Sequence, residues 1–179
     1  MRWTFAPLAV LAATAGSAHA VQYLTVEQAQ KLLFPAAADF APSDLLLTDA
    51  QRQAIAKASG VRVRDAHVRS WSARDDHGKA IGRLFVDEVT GKHDLITYAL
   101  AVTADGRVAG IEILDYRENY GGQIRDGVWR GQFRGKSSGD ELKVGSDIVN
   151  ISGATLSCAH VADGVRRLLK VNDLVSKAA

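Results

Sequence analysis

Two hydrophobic periods divide this chain, a period of two through its middle and a helical period at its end. Cys158, Val161, Val165, Leu168 and Leu169 recur at the spacing of one helical face and predict an amphipathic helix starting near Thr155. Arg166, Arg167 and Lys170 fall where cations would complement the carbonyl end of the helix dipole. Gly164, inside that stripe, costs a helix about 1 kcal/mol relative to Ala and points to close packing against another element.

Alternation governs the middle. Val61 and Val63 alternate with Arg62 and Arg64, predicting a strand that runs on to Trp71. Arg74-Asp75-Asp76-His77-Gly78 is a turn, Ile81 to Val89 a second strand, and Thr90-Gly91-Lys92-His93 a tight connection. Leu95 to Thr103 is a third strand, with Ile96, Tyr98, Leu100 and Val102 on one face. Asp105-Gly106 closes a hairpin into Val108 to Leu114, where Ala109, Ile111 and Ile113 share a face. Short hairpin links make such strands antiparallel.

Two helices precede the strands. Tyr23 to Phe34 carries the capping box Thr25-Val26-Glu27-Gln28 and ends at Pro35. Thr48-Asp49-Ala50-Gln51 repeats the signature, and that helix runs through Ile55 to Ser59 and stops at Gly60. Pro35, Pro42 and the alanines between them make a linker. The expected fold class is α+β, an antiparallel sheet with helices packed on it.

Met1 to Ala20 has a different composition: Arg2 is its only charge, an apolar run spans Leu8 to Ala13, and Ala18-His19-Ala20 forms a small-x-small pattern. This is the signature of a secretory signal peptide cleaved near Ala20. The expected product is a periplasmic protein with no membrane span, one domain over 21–179. That domain has a helical part at 21–60, then the sheet, a ligand loop and the final helix at 61–179. With 22 Lys and Arg against 20 Asp and Glu and no basic run with interleaved aromatics, nucleic acid is not implied. Cys158 is the lone cysteine and lies on the core stripe, the place of a buried structural thiol. The histidines, His19, His67, His77, His93 and His160, show no metal-ligand spacing. No dinucleotide fingerprint, nucleophile elbow or haem-attachment pattern occurs.

Candidate chemistry concentrates in two stretches. Asn150-Ile151-Ser152-Gly153-Ala154-Thr155-Leu156-Ser157 puts small residues and hydroxyls at the start of a helix, where unpaired N–H groups and the dipole favour an anion such as phosphate. The simpler alternative is that Ser152 or Thr155 caps the helix. Upstream, Asp115 to Ile124 and Trp129 to Lys136 mix aromatics, glycine and polar groups in the manner of a ligand loop. Trp129 and Phe133 are also one helical turn apart, as packing residues would be.

The run Ile151 to Ser157 resembles the flavinylation motif of the FMN-binding domain family, which includes the covalent-flavin subunits of the sodium-pumping NADH:quinone reductase and of the Rnf complex. The order Glu118, Gly121, Trp129, Phe133, Gly135, Lys136 ahead of it is similar to the same family, and the resemblance covers Ala80 to Leu169. It implies FMN joined through its phosphate to Thr155, with Ser157 as second choice. A metal-dependent flavin transferase would supply it from FAD. It further implies donors at Ser152, Gly153, Ala154, Leu156 and Ser157, and a loop of Glu118, Asn119, Tyr120 and Gly121 over the ring, with Tyr116 or Tyr120 able to stack. Val149 stands where the family often has aspartate, Tyr120 where it has proline, and Gly122-Gln123 where it has Leu-Gly. The function implied is an exported electron carrier, rather than a stand-alone enzyme, exchanging electrons between a membrane-bound redox protein and an acceptor. The alternatives are an exported module binding a phosphorylated ligand or a partner peptide non-covalently, and a flavin-dependent reductase of a small substrate.

Overall fold

A computed structural model of the chain describes residues 21–118 and 121–177. The leader reading of residues 1–20, and Asn119 and Tyr120 of the loop, fall outside the described residues. Strand β1 (Val21–Gln22) leads into helix α1 (Val26–Leu33), then β2 (Asp39–Pro42), β3 (Leu45–Leu46) and α2 (Asp49–Ser59). Four longer strands follow, β4 (His67–Arg74), β5 (Ala80–Thr90), β6 (Leu95–Thr103) and β7 (Val108–Tyr116). A 3-10 turn (Gly122–Arg125), a short helix α3 (Gly127–Gly131) and the long helix α4 (Thr155–Ser176) complete the chain. The architecture is α+β, and every strand pair of the sheet is antiparallel, in the order β1-β7-β6-β5-β4-β2, with β3 also on β4.

The sheet is covered on both faces. Phe85, Ile96, Tyr98, Leu100, Val102, Ile111 and Ile113 meet α4 through Cys158, Val161, Val165, Leu168 and Leu169. On the other face, Ala29 and Phe34 at α1 pack with Leu84, Val86, Ala99 and Ala101. Strand β6 is therefore buried on both sides from Ala99 to Val102. Each fully buried Leu or Val here stabilises the fold by about 1.5–3 kcal/mol relative to exposure.

Both capping boxes form. Thr25 and Gln28, and Thr48 and Gln51, exchange side-chain and backbone hydrogen bonds, and Gly60 ends α2 in the left-handed region. Helix α1 starts at Val26 rather than Tyr23, because the Tyr23 and Leu24 N–H groups both reach the Leu114 carbonyl and hold the entering chain against β7.

The strand expected over Val61 to Trp71 begins only at His67. Just ahead of it the Ala66 carbonyl still accepts from Leu47 N–H at 2.8 Å, but before that Val63 packs on the core and Arg52 holds the Arg64 carbonyl from α2. The stretch between Pro35 and Pro42 is more than a linker, since Asp39 to Pro42 pair with Arg74 to Trp71 as an edge strand, where a proline is tolerated. Ala109 lies on the α1 face of β7, away from Ile111 and Ile113, because the register shifts between Ala101 and Val102 opposite it. Helix α4 extends well past Lys170, so its basic residues are interior and serve tertiary contacts. Arg167 pairs with Asp87, Arg166 holds the Ser59 and Leu142 carbonyls, and Lys170 holds Ser138. Gly164 is packed as its position implied: a Cβ there would lie 2.3 Å from the Tyr98 hydroxyl.

Candidate functional site

The start of α4 is built by a reverse turn. Gly153 adopts φ +81°, the left-handed region that favours glycine, and Ala154 N–H closes the turn onto the Ile151 carbonyl at 3.0 Å. Helical bonding begins with Cys158 N–H to the Ala154 carbonyl, 2.9 Å. Ala154 is the N-cap, and no side chain caps the helix. The expectation that Ser152 or Thr155 serves as a side-chain cap is corrected. Ala154 occupies the cap position and has no oxygen to offer, while the Thr155 hydroxyl accepts from Asn150 Nδ2 at 2.9 Å. Ser152, Gly153, Thr155 and Leu156 are exposed.

Below this surface the residues turn inward. Ser157 is 3% exposed and shares a hydrogen bond with the Tyr116 hydroxyl. Burial pushes the Tyr116 hydroxyl up from its ordinary value, with the Ser157 bond acting in the opposite sense. Tyr116 is itself 4% exposed, so it reaches the site by its hydroxyl from beneath rather than by an open ring face. Cys158 is fully buried in the core, and burial raises its thiol against the pull of the Ile151 N–H, which leaves it a poor nucleophile.

A cavity of about 460 Å³ opens beside the helix start, lined by Lys92 and His93 of the β5–β6 turn, Glu118, and residues 153–157. That volume is in the range of ligand clefts, about 300–1,000 Å³. Glu118 Oε1 accepts from His93 N–H at 2.6 Å and Asp94 N–H at 3.1 Å, so its carboxylate braces the turn. Burial pushes the Glu118 carboxyl up, but the His93, Asp94 and Lys92 N–H groups outweigh it and hold it below its ordinary value. Gly121, at φ +85°, packs so tightly that a Cβ there would lie 2.5 Å from Ala154 Cβ and 2.8 Å from the Tyr116 hydroxyl. Among the described residues, no group of three or more His, Cys, Asp or Glu is placed to hold a metal ion.

The Trp129 to Lys136 stretch supports the site from behind. Trp129 and Phe133 are buried edge to face at 5.2 Å, as their spacing implied. Trp129 Nε1 donates to the Val149 carbonyl at 2.9 Å, and Gln132 Oε1 accepts from Val149 N–H at 2.7 Å. Lys136 pairs with Asp147 at 2.8 Å. Asp147 also accepts from Leu142 and Lys143 N–H, which commits it to its own loop.

The fold thus gathers Tyr116, Glu118, Gly121, Ser152, Gly153, Ala154, Thr155, Leu156 and Ser157 at one end of the sheet. Sequence reasoning placed Asn150 and Gln132 inside its two candidate stretches but gave neither a role; the structure shows Asn150 on the Thr155 hydroxyl and Gln132 on the Val149 N–H. A polar residue just before a Ser-Gly turn was the available signal for Asn150; nothing local marks Gln132.

Residues 91–170 match the model of the FMN-binding domain family, and the resemblance carried by the motif is shown over that span. Over 174 residues the chain is 27% identical to a component of the Na(+)-translocating ferredoxin:NAD(+) oxidoreductase complex of Acetobacterium woodii, covering 92% of this chain and 82% of that protein. The fold is similar to that of the crystal structure of Shewanella oneidensis NqrC, with a TM-score of 0.52 and 19% identity, over 81% of this chain and 73% of the other.

Proposed function

We propose that this chain, with an FMN-binding domain over residues 91–170, is an electron-transfer subunit carrying FMN covalently on Thr155 and working outside the cytoplasm beside a membrane redox complex. The observation that carries the reading is an exposed Thr155 hydroxyl at a helix start with no side-chain cap, opening on a cavity of about 460 Å³. Ser157, the second-choice hydroxyl of the motif, is buried against Tyr116, which favours Thr155 over it as the point of attachment.

The residues fit the group. Uncapped N–H groups of the first turn of α4 would hold its phosphate, with Ser152 exposed beside them. Gly153 has nothing within 4 Å of its Cβ position, so the backbone can be approached closely. Lys92 and His93 bring cationic capacity to the cavity wall, and Ala154 and Leu156 bring apolar surface. The isoalloxazine supplies reversible electron transfer when bound. The chain's own part is to hold and orient it, with Tyr116, Ser157 and Gly121 fixing the floor and Glu118 fixing the wall.

Attachment would join Thr155 Oγ to the flavin-side phosphorus of FAD, releasing AMP with the electron pair of the broken phosphoanhydride and the hydroxyl proton to solvent. A threonine hydroxyl is a weak nucleophile, so a separate metal-dependent transferase would supply the activation. Export rests on the leader pattern of residues 1–20. The Acetobacterium woodii relative is by name part of a sodium-translocating redox complex, and that supports a membrane-bound electron partner here. Among the described residues no helix is long and apolar enough to cross a membrane.

Intact mass and flavin fluorescence of the denatured protein, made for export beside a flavin transferase, test this. The expected result is a gain of one FMN less water, abolished by Thr155→Ala and retained by Ser157→Ala. A chain left unmodified by a transferase that modifies a control substrate refutes it; fluorescence lost on denaturation would mean FMN held without a bond.

A further inference from the structure

Asp147, Val149 and Asn150 precede the motif, and the structure sorts them. The Asp147 carboxylate is taken by Lys136 and by the Leu142 and Lys143 N–H groups. Val149 points its side chain to solvent, 68% exposed, while its two backbone groups bind Trp129 of α3 and Gln132 just after it. Of the three, only Asn150 reaches Thr155, donating from Nδ2 to Oγ1 at 2.9 Å.

We infer that Asn150 is the positioning residue for flavin attachment, holding the Thr155 hydroxyl in one rotamer so that its free lone pair faces the incoming phosphate. The inference rests on the covalent-FMN reading above. Both ends of the Asn150–Thr155 span are fixed before any ligand arrives. Trp129 and Gln132 clamp Val149 on one side. On the other, the turn at Ser152-Gly153 brings the chain back so that position 155 meets position 150. Beneath the span, Ile151 N–H reaches the buried Cys158 thiol.

An exposed threonine otherwise samples several staggered rotamers, and only some aim Oγ into the cavity. One lone pair of Oγ is engaged by Asn150; the other forms the bond to phosphorus as the bond to AMP breaks. A carboxamide does not take up a proton near neutral pH, so Asn150 orients without acting as the base, and the proton leaves to solvent.

The test measures the initial rate of flavin attachment by intact mass, at graded FAD, with a flavin transferase. Asn150→Ala is expected to slow the maximal rate about tenfold, the effect of one hydrogen bond, at unchanged half-saturating FAD. Asn150→Asp, which keeps the shape but has no N–H to donate, is expected to be equally slow. An Asn150→Asp rate equal to or above wild type overturns N–H donation, and an unslowed Asn150→Ala overturns the positioning role altogether. In the unmodified protein, the Asn150 side-chain amide resonances are expected to shift and exchange faster in Thr155→Val; no change overturns the contact. A wild-type chain that is never modified sinks the covalent reading together with this one. A modified wild type beside an unslowed Asn150→Ala sinks this one alone.

Discussion

Gly121 and Gly145 share a backbone conformation, φ +85°, and differ in what surrounds them, which makes a matched pair of substitutions. In either, alanine would incur the left-handed penalty, about 1–2 kcal/mol, partly offset by about 0.4–1 kcal/mol from a stiffer unfolded chain. A Cβ on Gly145 meets nothing within 4 Å, so Gly145→Ala is expected to cost about 1 kcal/mol. A Cβ on Gly121 would lie 2.5 Å from Ala154 Cβ, 2.8 Å from the Tyr116 hydroxyl and 3.3 Å from Ala154 Cα. Relieving such overpacking costs about 1–3 kcal/mol more, so Gly121→Ala is expected to lose about 2–4 kcal/mol. Urea unfolding followed by circular dichroism measures both, and equal slopes in denaturant show that the comparison is between native states. Gly121→Ala should also lower flavin attachment, because the loop must lift from Ala154, the residue before Thr155; Gly145→Ala should leave it unchanged. Equal stability losses in the two variants would refute the packing of the 121 loop against the start of α4.

Gly164→Ala gains about 1 kcal/mol of helix propensity but drives a methyl into the Tyr98 hydroxyl, which donates to Asp87 at 2.6 Å. The net expectation is a loss of about 2–4 kcal/mol in urea, reduced in a Tyr98→Phe background; additive losses would show that the two residues do not meet. For Asp147, burial raises the carboxyl but the Lys136 bond and the Lys143 and Leu142 N–H groups outweigh it, so its folded pKa lies below its unfolded one. Its contribution is therefore fully present above the unfolded carboxylate value and is lost as pH falls through the lower, folded one. Asp147→Asn is expected to cost about 2 kcal/mol near neutral pH and to flatten the acid limb of stability against pH. An acid limb as steep as wild type would count against the pairing with Lys136.

Much of the fold was legible because its signals are local. The Thr25 and Thr48 capping boxes, the Asp105-Gly106 hairpin and the third strand at Leu95 to Thr103 depend on residues a few positions apart, and each formed where its pattern stood. The Val61 to Arg64 alternation misled because it records one packed valine between solvated arginines, which a strand and an unpaired segment produce alike. The basic residues of α4 misled for a related reason: charges that suit a helix end also suit carbonyls and carboxylates elsewhere in the chain, and here Asp87, Ser59 and Ser138 claimed them.

The site divides along the same line. The order of motif residues, the small residues before Thr155 and the helix after it are properties of neighbouring positions, and they carried the resemblance to an FMN-binding domain without any structure. Which of the two attachment candidates, Thr155 or Ser157, is accessible is not local. Thr155 is exposed, whereas Ser157 is buried where Tyr116 at the end of β7 comes up beneath the first turn of α4. Glu118 braces the β5–β6 turn for a similar reason, since pairing of the strands brings the His93 and Asp94 N–H groups to it. Spacing along the chain sets what each residue can bond to within a turn; sheet pairing and helix docking decide which distant groups reach it, and with them which side chains remain free to meet a ligand.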